Sequence, residues 1–262
     1  MKLRVLAASL AALTLTAGIA SAQTKPAAPK PAAPDPKPVH GDVRGFFLRH
    51  NRPMKLDAED LAKITTLTLA HYEESARSFE EGTRDHDVSQ NIAALLRHIE
   101  GEPPCDILDL GCGPGRDLKT FTALGHRAVG LDGTPSFVAM ARAASGCEVW
   151  HQDFLRLQLP AARFDGIFAN AVLFHVPTQE LPRVLRDLRA TLKPRGVLFS
   201  SNPRGGNQEG WNRGRYGAYH DLDGWRTLLQ AAGFEELEHY YRPDGLPREQ
   251  QPWLASVWRR VD

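Results

Sequence analysis

A chain of 262 residues with 42% hydrophobic content is long enough to bury a sizeable core in one or two domains. Its formal net charge of +1 gives no electrostatic footprint for nucleic acid. Its three cysteines, Cys105, Cys112 and Cys147, have neither the even count of a disulfide framework nor the spacing of a metal site, so no metal is expected.

The chain opens with Lys2 and Arg4 ahead of an apolar run from Val5 to Ala20, and Ala20-Ser21-Ala22 supplies a small-residue cleavage step before Gln23. This order predicts residues 1–22 as a secretory signal peptide and an exported, periplasmic protein without a stable membrane span; an uncleaved anchor is the alternative. Residues 23–55 read as a spacer and linker rich in Pro, Ala and Lys, a composition that extends as polyproline II and buries nothing. The folded domain is expected over 56–262.

Leu61 to Glu81 places Leu61, Ile64, Leu67, Thr68 and Tyr72 near helical spacing and is expected to end at Gly82. A second helix is predicted from Val88 to Glu100, with Asp87 or Ser89 as N-cap and Ile92, Leu95, Leu96 and Ile99 on one face. The polar segment between them, Gly82 to Asp87, reads either as capping and solvation or as a lid over a ligand.

The stretch Ile107 to Asp117 organises the rest. An apolar strand ending at Asp109-Leu110 runs into Gly111-Cys112-Gly113-Pro114-Gly115 and a helix start. Glycines let the chain turn tightly and bare its amides, which with the positive end of the helix favour polar or anionic parts of a nucleotide-like ligand. A dinucleotide fingerprint would place its third glycine at 116, where this chain has Arg116. Ala128 to Asp132 reads as a second strand ending in an acid, about 20 residues beyond the glycines, where a strand-end carboxylate meets ribose hydroxyls; helix capping before Pro135 is the competing role.

A helix from Ser136 to Ser145 and a strand from Glu148 to His151 follow. This strand ends at Gln152-Asp153-Phe154, where Asp153 could accept from an adenine amino group and Phe154 could cover the ring. Phe164 to Ala171 is the fourth strand and Val172 to Pro177 a loop, which places Asn170 and His175 at the carboxyl end of the sheet, where open α/β sheets bind ligands. After a helix from Gln179 to Leu192 and a strand from Val197 to Ser201, Asn202 to Tyr219 is a long polar loop whose Trp211, Tyr216 and Tyr219 argue against simple disorder. A helix from Trp225 to Ala232 precedes a last strand pair, Phe234 to Tyr241 and Trp253 to Arg260. The alternation predicts an α/β fold with one doubly wound, mostly parallel Rossmann-like sheet and a terminal antiparallel strand pair.

The glycine turn, Asp132, Gln152-Asp153-Phe154, Asn170 and Leu192-Lys193-Pro194-x-Gly196, in that order, resemble a class I S-adenosylmethionine-dependent methyltransferase over roughly Leu61 to Arg260. More closely, Glu81 to Asn91, Phe168 to Pro177, Ser201 to Gly205 with Trp211-Asn212, and the tail segments Glu238 to Pro243 and Trp253 to Trp258 resemble the C-terminal methyltransferase domain of ovothiol synthases. That family domain methylates a ring nitrogen of 5-thiohistidine. Family proteins usually carry an iron-dependent sulfoxide synthase portion ahead of it; the residues before Leu61 do not resemble one, so iron and carbon–sulfur bond formation are not expected here.

The resemblance implies S-adenosyl-L-methionine as cofactor. Asp109, Gly111, Gly113 and Gly115 would meet its methionine part, Asp132 and Gly133 the ribose, and Asp153 and Phe154 the adenine, with Asn170 beside it and Tyr72 and Thr83 as lids. It also implies a small thiol-imidazole acceptor oriented by Asn170 and His175. Arg84, Asn202, Arg204, Trp211, Tyr216 and Tyr219 are the expected substrate contacts. Among Arg204, Arg213 and Arg215, Arg204 is preferred for a carboxylate because it follows the fifth strand, a planar guanidinium binding two oxygens at once. A neutral imidazole nitrogen already has its lone pair, so a strong general base is not required. Another small-molecule acceptor, or an exported cofactor-binding module without catalysis, are the alternatives. Export also conflicts with a cofactor made in the cytosol.

Overall fold

The computed structural model describes residues 55–262. The predicted signal peptide 1–22 and, apart from Lys55, the predicted spacer lie outside the described residues. Five strands, β1 (Asp106–Leu110), β2 (Arg127–Asp132), β3 (Glu148–His151), β4 (Phe164–Asn170) and β5 (Leu192–Pro203), pair in parallel. A hairpin of β6 (Gln208–Asn212) and β7 (Arg215–Tyr219) forms a separate two-stranded sheet. β8 (Phe234–Arg242) and β9 (Trp253–Arg260) complete the main sheet antiparallel to it, giving the order β3-β2-β1-β4-β5-β9-β8.

The helices are α1 (Ala58–Thr83), α2 (Ser89–Leu96), α3 (Arg116–Ala123), α4 (Pro135–Ser145), α5 (Leu181–Thr191) and α6 (Leu222–Ala231). Strands of a parallel sheet are covered on both faces, so their side chains are apolar in both directions. Leu108, Leu110, Val129 and Leu131 pack with Leu185 and Leu188 of α5 and Trp225 and Leu229 of α6. Ile107, Phe168 and Phe199 turn the other way, toward Ile92 and Leu95 of α2 and Phe121 of α3. The strand order reverses between β1 and β4, and the glycine turn and Asn170 stand at the carboxyl ends of those two strands, where this topology opens its crevice.

The terminal pair carries a buried polar cluster. Ser200 of β5 sits opposite Ser256 of β9 with their hydroxyl oxygens 3.1 Å apart. The Trp225 indole N–H donates to Ser200 Oγ at 3.0 Å and the Trp258 indole N–H donates to Ser256 Oγ at 2.8 Å. Both indoles are thereby sunk in the core with their donors satisfied.

Several element limits differ from expectation. Helix α1 starts earlier because Asp57 caps it, accepting from Glu59 and Asp60 amides at 2.9 Å, and it runs through Gly82 to Thr83. Its last turn is held by a two-pronged Arg84–Glu80 ion pair and by Thr83 Oγ1 donating to Phe79 O. The expected polar loop therefore loses its first two residues to the helix. Helix α2 stops at Leu96, not Glu100, and both Arg97 and His98 reach across to Glu238 of β8.

The largest correction concerns Asn202 to Tyr219, which is not an irregular loop. Gln208–Asn212 and Arg215–Tyr219 are paired, closed by Arg213 and Gly214 at φ of 50° and 82°. Two consecutive left-handed residues match the twist of a two-residue hairpin. An arginine at the first of them, and only one large apolar residue in β6, hide the pattern from the sequence.

Replacing Ser200 with Ala removes the acceptor of the buried Trp225 N–H. Equilibrium urea unfolding of that variant is expected to show a loss of about 1–3 kcal/mol, with the m-value unchanged.

Candidate functional site

The turn after β1 is fixed by backbone and by one side chain. Gly111, Gly113 and Gly115 have φ of 68°, 52° and 91°. At Gly115 a Cβ would lie 2.8 Å from Ala141 Cα of α4, a backbone clash that excludes any larger residue. Above Gly113 the situation is opposite: a Cβ would meet only Phe79 Cε1, at 3.8 Å, so the backbone there is open to a close approach. Asp132 holds the turn, its Oδ2 accepting from the Gly113 amide at 3.0 Å and its Oδ1 from the Thr134 amide at 2.8 Å. Each oxygen keeps a further acceptor site.

Three buried acids gather here. Arg116 pairs with Asp117 through both oxygens, at 2.7 and 2.8 Å, and donates to the Thr83 carbonyl at 3.1 Å. Asp109 has no guanidinium of its own, and its Oδ2 is buried without a hydrogen-bond partner among the described residues. Burial, reinforced by Asp117, pushes the Asp109 carboxyl well above the usual carboxylate range. Burial also raises Asp132, opposed by the amides of Thr134 and Gly113. An open glycine cradle next to an unpartnered buried carboxylate suits a ligand with a cationic head, so these residues fit the methionine portion of S-adenosylmethionine.

The long helix α1 lies over this turn and carries an aromatic wall. Phe79 and Phe137 are 5.2 Å apart between centroids, and Tyr72 meets them at 5.7 and 6.0 Å. The hairpin docks on the same helix, the Tyr216 amide donating to Thr68 Oγ1 at 3.1 Å. Between the two runs a chain of polar groups whose direction is set by chemistry. A carbonyl only accepts, so His175 Nδ1 carries the proton and donates to Tyr216 O at 2.7 Å. His175 Nε2 is then the acceptor for the Tyr72 hydroxyl at 2.8 Å, and the Tyr72 oxygen accepts from Arg215 Nη1 at 3.0 Å. Burial lowers His175 from 6.5 to about 4, so the ring is neutral; burial raises Tyr72 against the opposing Arg215 charge.

Not every expected residue joins this arrangement. Asn170, at the end of β4, accepts at Oδ1 from Asn91 Nδ2 at 3.0 Å, and the Tyr240 hydroxyl donates to Asn91 Oδ1 at 2.9 Å. Asp153 accepts from the Leu155 amide at 2.9 Å and caps the short 3₁₀ turn Phe154–Arg156, while Phe154 packs against the main core. Gly133 lies under α1, where a Cβ would meet Leu69 Cδ2 at 2.8 Å. Asn202 is buried with its Oδ1 unpartnered among the described residues. Tyr216 is buried, Trp211 is exposed and meets it edge-on, and Tyr219 accepts from Asn212 Nδ2 at 3.3 Å.

Two arginines are corrected. The Arg204 guanidinium donates to the carbonyls of Gln251 and Arg248 beside Tyr241, so the residue favoured for a carboxylate clamps the connection between β8 and β9 instead. Arg84 faces solvent, bound to Glu80. Thr83 also bonds within its own helix. The residues that the sequence underweighted are Arg215, Asn91 and Phe79. Arg215 was one of three candidate arginines, and Asn91 left a signal as an amide next to the first residue of the apolar α2 stripe.

Residues 107–196 match the family profile described as a methyltransferase domain. A trans-aconitate 2-methyltransferase of Azoarcus sp. (strain BH72) is 38% identical over 114 residues, 42% of this chain and 44% of that protein. The 24-methylenesterol C-methyltransferase 2 of Oryza sativa subsp. japonica is 33% identical over 132 residues, 47% and 34% of the two chains. The chain thus spans less than half the length of these relatives. Among solved structures, the Burkholderia thailandensis 1,6-didemethyltoxoflavin-N1-methyltransferase, with bound 1,6-didemethyltoxoflavin and S-adenosylhomocysteine, superposes with a TM-score of 0.66 at 22% identity, covering 80% of this chain and 94% of that one.

The fold is that of the class I methyltransferases, and residues 107–196 match the methyltransferase domain profile. None of these three relatives is named for 5-thiohistidine. Among the described residues no helix is long and apolar enough to cross a membrane, and no group of three or more His, Cys, Asp or Glu is placed to hold a metal.

His175 ties the lid to pH. Its folded value lies below 6.5, so the unfolded chain binds the extra proton, and the stability this ring contributes is present above pH 6.5 and lost as pH falls toward about 4. The stability gap between wild type and His175→Gln, measured by urea unfolding at each pH, is expected to narrow across that window.

Proposed function

We propose that this protein is an S-adenosylmethionine-dependent methyltransferase of a small-molecule acceptor. The observation that carries the reading is Asp109, a buried carboxylate without a partner among the described residues, beside an open glycine turn braced by Asp132. When bound, the cofactor supplies a methyl group activated by a sulfonium for in-line transfer. The chain's own residues position and dry the site. The Gly113 backbone admits the methionine portion, Asp109 meets its ammonium, Asp132 offers acceptors to the ribose, and Asp153 with Phe154 takes the adenine. Phe79, Tyr72 and Phe137 exclude water.

The finer reading is transfer to an imidazole nitrogen of 5-thiohistidine. It is supported by the resemblance of Glu81 to Asn91, Phe168 to Pro177 and the tail to the ovothiol domain. A neutral ring nitrogen needs alignment more than a base, which agrees with a neutral His175 whose two nitrogens are both hydrogen-bonded. Asn170, its Oδ1 held by Asn91, has its amide N–H groups to orient such a ring.

Calorimetry is expected to show S-adenosylhomocysteine binding that weakens at least about tenfold in Asp132→Ala, as lost charge-assisted hydrogen bonds to ribose require; unchanged affinity overturns the ribose assignment. Incubation with S-adenosylmethionine and 5-thiohistidine is expected to give a product heavier by one methyl group. Turnover of another small acceptor in its place would keep the methyltransferase and reject this substrate, and cofactor binding without turnover on any acceptor would favour a binding module.

We also propose export, with residues 1–22 as the leader, 23–55 as the spacer and 56–262 as the catalytic domain. Intact mass of the protein from its natural host should then begin at Gln23. A chain retaining Met1 and found in the cytosol rejects this and removes the conflict with cofactor supply.

A further inference from the structure

We propose that Arg215 is the anchor for a carboxylate of the acceptor, so that the site selects acidic small molecules; this rests on the methyltransferase reading above and names its substrate class. Arg215 is the one of the three arginines of the Asn202 to Tyr219 segment and its start that the fold turns onto the lid. Arg204 is bound to the carbonyls of Gln251 and Arg248, and Arg213 is exposed at the hairpin turn. Arg215 is partly buried, with its guanidinium carbon 5.5 Å from the Tyr72 ring centroid, and its one hydrogen bond among the described residues goes to the Tyr72 hydroxyl. Three other partly buried guanidiniums face acids, Arg116 facing Asp117, Arg183 facing Glu180 and Arg226 facing Glu236, while Arg189 and Arg204 are each held by two backbone carbonyls. No carboxylate of the described residues stands within ion-pair distance of Arg215. A guanidinium has five N–H donors and a phenol oxygen satisfies one, which leaves a planar fork of the kind that takes both oxygens of a carboxylate.

Charge is also sorted across Tyr72. Its hydroxyl accepts from Arg215, whose charge lowers its titration, while the Asp132 charge raises it. The acids Asp109, Asp117 and Asp132 belong to the glycine turn, where the cationic methyl donor would sit, and the guanidinium belongs to the hairpin. An acceptor with an anionic group is drawn to the arginine and kept from the acids, so its nucleophilic end faces the donor. The anchor is fixed in advance. The Tyr72 hydrogen is committed to His175 Nε2, and His175 is pinned through Nδ1 to the Tyr216 carbonyl, so the Tyr72 oxygen accepts and holds Arg215 in one orientation. Such preorganisation lowers the entropy lost on binding.

The test uses matched probes in the full-length protein with S-adenosylhomocysteine present: 5-thiohistidine against its decarboxylated amine, and trans-aconitate against its trimethyl ester. Calorimetry on wild type is expected to show at least one acid bound about thirtyfold tighter than its partner lacking the carboxylate, the discrimination a charge-assisted pair supports. Arg215→Gln should erase that ratio, Arg215→Lys should restore part of it, and affinity for S-adenosylhomocysteine should stay within about threefold in both. Wild type without preference for either acid, or Arg215→Gln weakening the acid and its carboxylate-free partner equally, overturns the proposal and leaves Arg215 as a brace between helix and hairpin. Failure of the methyltransferase reading is separate, since it shows as wild type that does not bind S-adenosylhomocysteine.

Discussion

One carboxylate holds the functional end of this molecule together. Asp132 takes the Gly113 amide on one oxygen and the Thr134 amide on the other, so the turn after β1 and the start of α4 are set by the last residue of β2. The geometry depends on parallel pairing, which places Leu110 beside Leu131 and brings the ends of the two strands level. It also depends on Gly115, where any side chain would strike the α4 backbone. A turn braced in this way keeps its amides and its open face in place before a ligand arrives, the condition under which binding free energy is not lost to ordering.

Around that brace the fold separates two charge environments with a neutral polar seam. Asp109 and Asp132 lie at strand ends and the guanidinium on the hairpin, and Tyr72 links that guanidinium to His175. The seam works because its members are neutral: burial lowers His175 and raises Tyr72, so neither carries charge near pH 7. It joins elements far apart in the chain, α1, the turn after β4 and the hairpin, into one hydrogen-bonded unit.

The main sheet was legible because it obeys local rules. Apolar strand runs recur at β1, β2 and β4, with an acid and glycine at the ends of the first two and Asn170 at the end of the third, and their order is enough to give the doubly wound fold and to put Asp109, Asp132 and Asn170 at one end of it. The hairpin was not legible, because Gln208 to Asn212 has no clear apolar alternation and its turn places Arg213 at positive φ. Arg204 misled for a related reason. Its position after β5 suggested the crevice, and only the neighbouring β8–β9 connection, which offers it two carbonyls, turns it away.

The sequence by itself determined the sheet, the glycine turn and the carboxylates that belong to it, since each follows from residue type and spacing within one strand–turn–helix unit. The tertiary structure alone decided which arginine reaches the lid, which nitrogen of His175 carries the proton, and that Asn91 and Tyr240 hold Asn170. Those are contacts between residues 41 to 149 positions apart. No local propensity encodes them, and they form only once the packed faces of the sheet fix where α1, α2 and the hairpin meet.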